Sequence, residues 1–241
     1  MSFNVPLSSA RASRLIEIIP VTSDATVVDA GCGDGDFLIE YLKHSGSEGL
    51  GIDIDSSLLK LAREKASQRI PDLTCTFRKG DLTKTSLKAN AFDLAICLGA
   101  NHAFGTGEEA FPTCLEKMIK AVRADGCLLI GEGYWKQEPD PEYLELIGEP
   151  VGIYRTHEEN IALAENLGLL PLYAATSTTE EWDAFEDAFS KKVHAMAKEN
   201  PDDPDKQAKR ERAREWREGY EKWGRTTMGF GFYVFRKLDD E

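Results

Sequence analysis

The stretch "VVDAGCGDGDF", Val27 to Phe37, limits the fold of this chain more than any other. A short apolar run ends in an acidic residue. Glycines then follow at 31, 33 and 35, just before an apolar pattern of helical spacing. Glycine within regular structure costs about 0.5–1 kcal/mol, so three in five positions mark a backbone that must turn tightly or approach something closely. A buried strand, a glycine turn and a helix in that order read as the opening βα unit of a parallel sheet.

The following residues repeat that unit. Ser8 or Ser9 caps a helix over 8–19 with Leu15, Ile16 and Ile19 as its apolar stripe. "GLGIDID" is a second strand, and Asp55 caps a third helix through Leu58, Leu59, Leu61, Ala62 and Ala66. "LTCTFRKGD" and "AFDLAICLG" are strands three and four. A helix follows with Pro112 in its first turn and Leu115, Met118, Ile119 and Val122 at helical spacing; it stops at "ADG", before strand five, "CLLIGEGYW". Alternating strands and helices predict a parallel sheet covered on both faces. Ligands in such sheets bind beyond the carboxyl ends of the strands, near the switch point of strand order.

After Trp135 the texture changes. Asp140–Pro141 opens a short helix ending near Gly148, and Thr156 with Glu159 forms a capping-box pattern for another, terminated by Gly168. "LLPLYAATST" is strand six and "TTMGFGFYVFRK" strand seven. Between them, over about 180–224, lie two helices: one carries Trp182, Phe185, Phe189, Val193 and Met196 on one side, the other Ala213, Trp216, Tyr220 and Trp223. "KENPDDPD" reads as the loop between these helices, and the chain as one domain over 1–241.

The totals narrow the function. The longest apolar runs are far too short to span a bilayer. The first residues show no basic region followed by an apolar stretch, so no secretory signal is expected. Five cysteines without CxxC or His/Cys pairing fit a reducing, cytoplasmic setting, with neither a disulfide framework nor a metal site. The net charge of −13 repels a phosphate backbone, so the expected partner is a small molecule and not nucleic acid or a membrane.

Two nucleotide motifs fail at the glycine stretch. The dinucleotide fingerprint needs a third glycine where Asp36 stands, and the phosphate loop needs a lysine that is missing. The pattern D-x-G-x-G-x-G suits a zwitterion better. Gly31 and Gly33 let the backbone approach a carboxylate at the helix N-terminus, and Asp29 helps to hold an ammonium group.

At this point the chain resembles the class I S-adenosylmethionine-dependent methyltransferases, over roughly residues 8 to 135. "VVDAGCGDG" is similar to the first motif of that family. "GIDID" resembles the second, with Asp53 twenty-four residues after Asp29 at a strand end. "KGDL" resembles the third and "FDLAICLGANHAF" the fourth. The resemblance implies a Rossmann-like, mostly parallel seven-stranded sheet with helices on both faces. The seventh strand is antiparallel and pairs beside the sixth, and this chain adds a helical insertion between the two. It also implies S-adenosyl-L-methionine as cofactor, held by Asp29, Gly31, Cys32 and Gly33. Asp53 takes the ribose hydroxyls, Ile54 the adenine face, Asp81 the adenine amino group and Leu82 a backbone contact, with Leu98 and Gly99 facing the methionine part. The whole looks most like a group of bacterial small-molecule methyltransferases of poorly defined substrate.

For the chemistry, His102 is the first candidate general base, with Asn101 orienting the acceptor. Glu132, Tyr134 and Trp135 leave strand five on the same rim, where a carboxylate beside aromatics could receive an amine or other cation. Phe104, Tyr134 and Trp135 are the candidate substrate pocket. The histidines at 44, 157 and 194 read as surface or structural. The inserted helices carry either core packing or a lid. The expected activity is methyl transfer to an oxygen or nitrogen of a small molecule. A non-catalytic cofactor-binding sensor is the alternative, and Asp36 disfavours a nicotinamide oxidoreductase.

Overall fold

The computed structural model describes residues 3–20 and 22–239. Seven strands form one sheet: β1 (Thr26–Ala30), β2 (Glu48–Asp53), β3 (Cys75–Lys79), β4 (Phe92–Leu98), β5 (Val122–Trp135), β6 (Leu169–Thr176) and β7 (Met228–Lys237). Their order is β3-β2-β1-β4-β5-β7-β6. β1 to β5 pair in parallel, and β7 lies antiparallel between β5 and β6. The order reverses between β1 and β4, which puts the switch point at the glycine stretch.

Helices α1 (Ser9–Ile18), α2 (Asp36–Ser45) and α3 (Ser56–Arg69) share one hydrophobic cluster with one face of the sheet. Helices α4 (Ala110–Ala121) and α6 (His157–Asn166) share the cluster on the other. The short α5 (Pro141–Ile147) leads from β5 toward α6. β4, buried on both faces, is a nearly continuous apolar run, as a covered central strand requires. The expected caps form. Ser8 accepts from the Arg11 amide, Asp55 from Ser57 and Leu58, and Thr156 pairs reciprocally with Glu159.

One boundary differs from the sequence expectation. The helix after β4 stops at Ala121, and β5 already begins at Val122. Phe92 pairs with Val122 but Leu94 with Cys127, so "RADG" bulges out of the strand. Asp125 takes a left-handed backbone, φ 58°, which its short polar side chain tolerates. The turn signal was real, but the strand runs on both sides of it.

The insertion is α7 (Thr179–Glu199) and α8 (Pro204–Gly219), continued by a π-helical turn at Tyr220–Gly224. Trp182 and Tyr220 stack with centroids 6.2 Å apart inside the α1–α2 cluster, so this part of the aromatic stripe is core. Phe189 and Met196, expected on the same packed side, are exposed. Glu181 fastens the insertion to the N-terminal helix. Its carboxylate accepts from the Ser8 amide and hydroxyl, from Arg11 Nε and from the Thr178 amide that opens α7. Removing the carboxylate leaves several half-buried donors without their acceptor, so Glu181→Ala should cost about 1–3 kcal/mol in urea unfolding. Glu181→Gln, which keeps part of the network, should cost less.

Candidate functional site

The site is built at the carboxyl ends of β1, β2, β4 and β5. Leaving β1, the chain turns over the end of β2: the Gly31 and Cys32 amides both donate to the Ile52 carbonyl, at 2.8 and 3.0 Å. Gly31 takes φ 81° and lies so close to Ala100, after β4, that a Cβ would overlap the Ala100 methyl. Gly33 takes φ 54°, yet nothing lies within 4 Å of where its Cβ would stand. The first glycine permits packing of strand ends; the second keeps open space beside the loop. Cys32 turns its side chain inward against Gly51, where burial pushes its thiol up.

Two acidic residues frame the loop. Asp53 accepts the Gly33 amide on one oxygen and the Asp55 amide on the other, each at 2.8 Å. Asp29 is buried and, among the described residues, its carboxylate has no hydrogen-bond partner. Burial and then the charge of Asp53 push it up to about 8. Ile54, 63% exposed, presents an apolar surface beside Asp53. Asp36, the residue that breaks the dinucleotide fingerprint, clamps α2 to α3 through Lys65 at 2.7 Å and Arg69 at 2.6 Å.

The third-motif residues are engaged locally. Asp81 accepts from the Thr83 amide at 3.0 Å and hydroxyl at 2.5 Å, which holds its carboxyl below the usual range. The Leu82 side chain is core, while its carbonyl takes Lys117 Nζ at 2.7 Å. The Gly99 amide donates to the Gly131 carbonyl, joining the ends of β4 and β5, and Leu98 stands half-buried beside Gly131.

Past Gly99 the structure brings Asn101 and Glu132 together. Asn101 is buried; its amide donates to the Gly131 carbonyl at 2.8 Å and to the Glu132 carboxylate. Glu132 is 8% exposed, and burial pushes it up to about 8 against the opposing effects of Asn101 and Arg155. His102, the next residue, is exposed and makes no side-chain hydrogen bond among the described residues. Phe104 lies in the core, sharing a cluster with Phe111, Cys114 and Leu115. Along β5, alternation places Glu132 and Tyr134 on one face and Trp135 on the other. There the Trp135 indole donates to the Val151 carbonyl at 2.7 Å and meets Tyr154 edge-on at 5.1 Å. The three residues expected on one rim therefore divide between two faces.

The structure adds residues that local sequence patterns did not single out. His157 opens α6 but stacks on Tyr233 and packs at a tilt against Tyr134, and its Nδ1 lies 3.0 Å from the Tyr233 hydroxyl. Burial pushes the His157 ring below its ordinary value. Together with Tyr134, Trp135, Lys136, Thr156 and Thr176 it lines a cavity of about 320 Å³. Tyr154 covers Gly133. Only the β5–β7 pairing and the docking of α6 create this group. Two glycines flanking Glu132 in "GEGYW" were the one available signal.

The raised carboxyls make stability depend on pH. Unfolded, Asp29 and Glu132 ionise near 4; folded, near 8, so between those values the native chain binds more protons than the unfolded one. Stability therefore falls as pH rises across that window, by up to about 1.4 kcal/mol per pH unit for each group. Urea unfolding at pH 5.5 and 7.5 should show the decline. Asp29→Asn should flatten it and stabilise the ligand-free protein at pH 7.5.

Among the described residues no group of His, Cys, Asp and Glu could hold a metal ion, and no helix is long and apolar enough to cross a membrane. Residues 27–126 match a family profile described as a methyltransferase domain. An uncharacterized protein, YjhP of Escherichia coli strain K12, is 24% identical over 203 residues, which cover 82% of this chain and 79% of that protein. A demethylmenaquinone methyltransferase of Lactiplantibacillus plantarum is 35% identical over 78 residues, 32% of this chain and 33% of its own. Among solved structures, a SAM-dependent methyltransferase from Geobacter sulfurreducens in complex with S-adenosyl-L-homocysteine superposes with a TM-score of 0.87 at 22% identity. It covers 97% of this chain and 92% of its own. Domain match and sheet order agree: residues 27–126 match a methyltransferase domain, and the chain has the Rossmann-like, mostly parallel fold of the methyltransferases with an antiparallel seventh strand.

Proposed function

We propose that this protein transfers a methyl group from S-adenosylmethionine to an oxygen or nitrogen of a small molecule, at the ends of β4 and β5. The observation that carries the cofactor assignment is the pairing of Asp29, a buried carboxylate without a partner, with the open space beside Gly33. A ligand that brings an ammonium group to Asp29 and a carboxylate to the loop amides offsets the cost of burying that acid. Asp53 has lone pairs left for the ribose hydroxyls, Ile54 offers an apolar face for adenine, and Asp81 with Leu82 borders the same edge. The cofactor, when bound, supplies a methyl carbon activated by a positive sulfur.

The chain's own residues do the rest. Gly31 packs against Ala100, the neighbour of Asn101, so the cofactor loop and the Asn101–Glu132 pair sit on adjacent strand ends. Asn101 orients Glu132, and Glu132 accepts the proton that the acceptor must lose. Alignment of acceptor and methyl can supply about 7–11 kcal/mol of the barrier, and a positioned base roughly 10²–10⁴-fold more. The net charge of −13 and free cysteines support a small acceptor in a reducing cytoplasm rather than nucleic acid. Calorimetry with S-adenosylmethionine, S-adenosylhomocysteine and NAD tests the cofactor, and binding of NAD alone overturns it. Transfer of a labelled methyl group to a metabolite extract tests the activity. Cofactor binding without any labelled product supports the sensor reading instead.

A further inference from the structure

Glu132 occupies an unusual place in the β5–β7 pairing. It lies opposite Gly231, with Gly131 and Gly133 on either side of it and Gly229 opposite Tyr134. Each of these four glycines is covered by an aromatic side chain: Gly131 by Phe230, Gly133 by Tyr154, Gly229 by Tyr134, and Gly231 by the hydroxyl end of Tyr233. A side chain at any of them would collide with that ring; by strand alternation Tyr134 and Tyr233 lie on the face that carries Glu132, and Phe230 and Tyr154, over Gly131 and Gly133, on the opposite face. One Glu132 oxygen takes the Asn101 amide; the other has no hydrogen-bond partner among the described residues.

The charges facing Glu132 are few. Arg155, before α6, is the cation acting on it, and its guanidinium turns to the Glu108 carbonyl at 3.5 Å on the exposed rim. From β5, β7 and the loop before α6, Tyr134, Tyr233 and Tyr154 contribute neutral phenols. From α4, Cys114 contributes a buried, neutral thiol, and from α6 His157 an uncharged ring. A carboxylate without a close counter-charge, with the Tyr134 and Tyr233 rings on its own face of the strands, is complementary to a cation.

We infer that the acceptor atom is a nitrogen, and that the acceptor enters as an amine whose charge Glu132 receives; this rests on the methyl-transfer reading above. The substrate ammonium gives one proton to the Glu132 carboxylate and becomes a neutral amine. Its lone pair forms the C–N bond as the C–S bond breaks, and sulfur keeps the bonding pair. The positive charge passes from sulfur to nitrogen, which leaves as the methylated ammonium, while Glu132 returns its proton to solvent. Glu132 holds that proton while the C–N bond forms, so it acts as the base of the step, and its carboxylate form meets the charged amine before and the charged product after it. A neutral alcohol brings no ammonium charge for Glu132 to receive.

The test needs no knowledge of the natural acceptor. The full chain, saturated with S-adenosylhomocysteine, is titrated at pH 7 with benzylamine and, separately, with benzyl alcohol, in two buffers of different ionisation enthalpy. The amine should bind at least tenfold tighter and release close to one proton as Glu132 ionises. Glu132→Gln should lose both the preference and the proton release while still binding S-adenosylhomocysteine, and Glu132→Asp should retain the preference in part. Equal binding of the alcohol, binding of neither probe, or amine binding without proton release overturns the nitrogen assignment. Failure of S-adenosylhomocysteine to bind the wild-type chain overturns the methyltransferase reading itself.

Discussion

Gly31→Ala should weaken S-adenosylhomocysteine binding about a hundredfold, the equivalent of about 2.7 kcal/mol. Two costs combine. Gly31 sits at φ 81°, where a side chain costs about 1–2 kcal/mol, and the added methyl would overlap Ala100, where overpacking costs about 1–3 kcal/mol more. The chain can relieve the overlap only by separating the ends of β1 and β4, which moves the loop amides away from their ligand. Part of the cost should therefore appear as lost stability in urea. Gly33→Ala is the control with the opposite balance. It pays the φ penalty but meets nothing within 4 Å, so its stability should fall by about 1 kcal/mol while its methyl intrudes on the ligand space. Paired calorimetry and urea titration separate the two, and a Gly31→Ala protein that binds normally would show that the loop is not the cofactor site.

Glu132→Gln should lower turnover by about 10²–10⁴-fold, with S-adenosylhomocysteine affinity little changed. The glutamine keeps the shape and the hydrogen bond to Asn101 but takes no proton. In the wild type the carboxylate form grows as pH passes through about 8, so the rate should rise across that range, and the rise should vanish in the variant. Initial rates with an acceptor found by labelled-methyl screening provide the measurement. His102→Ala, by contrast, should change turnover less than tenfold, because the side chain is exposed and unbonded while Glu132 is buried beside Asn101. A large effect at His102 and none at Glu132 would reverse the assignment of the base.

Much of the fold was legible because its signals are local. The caps at Ser8, Asp55 and Thr156 and the glycine stop at Gly148 each depend on a few neighbouring residues and formed where expected. The "RADG" bulge was misplaced for the complementary reason: a turn signal says that the chain deviates, and only pairing with β4 says that the strand resumes. In the insertion, helical spacing grouped Trp182 with Phe189 and Met196. Yet Trp182 reaches the core while the other two stand in solvent, because burial depends on what faces the helix.

The same division runs through the site. The pattern D-x-G-x-G-x-G reads as a zwitterion site from its own residues, and GIDID as a ribose site through the family resemblance; the two stand at neighbouring strand ends because a parallel sheet aligns those ends. The acceptor side was different. Asn101, Glu132, Tyr154, His157 and Tyr233 come from four separate segments: parallel pairing of β4 with β5 brings Asn101 to Glu132, and the antiparallel insertion of β7 and the docking of α6 add Tyr233 and His157. The residue types at the strand ends belong to the sequence, and those of the glycine stretch point to the methyl donor. Long-range pairing decided that Glu132 is buried against Asn101, that Trp135 faces away and that His102 stays in water. Hydrogen bonding and desolvation, which give a side chain its chemistry, are properties of what surrounds it.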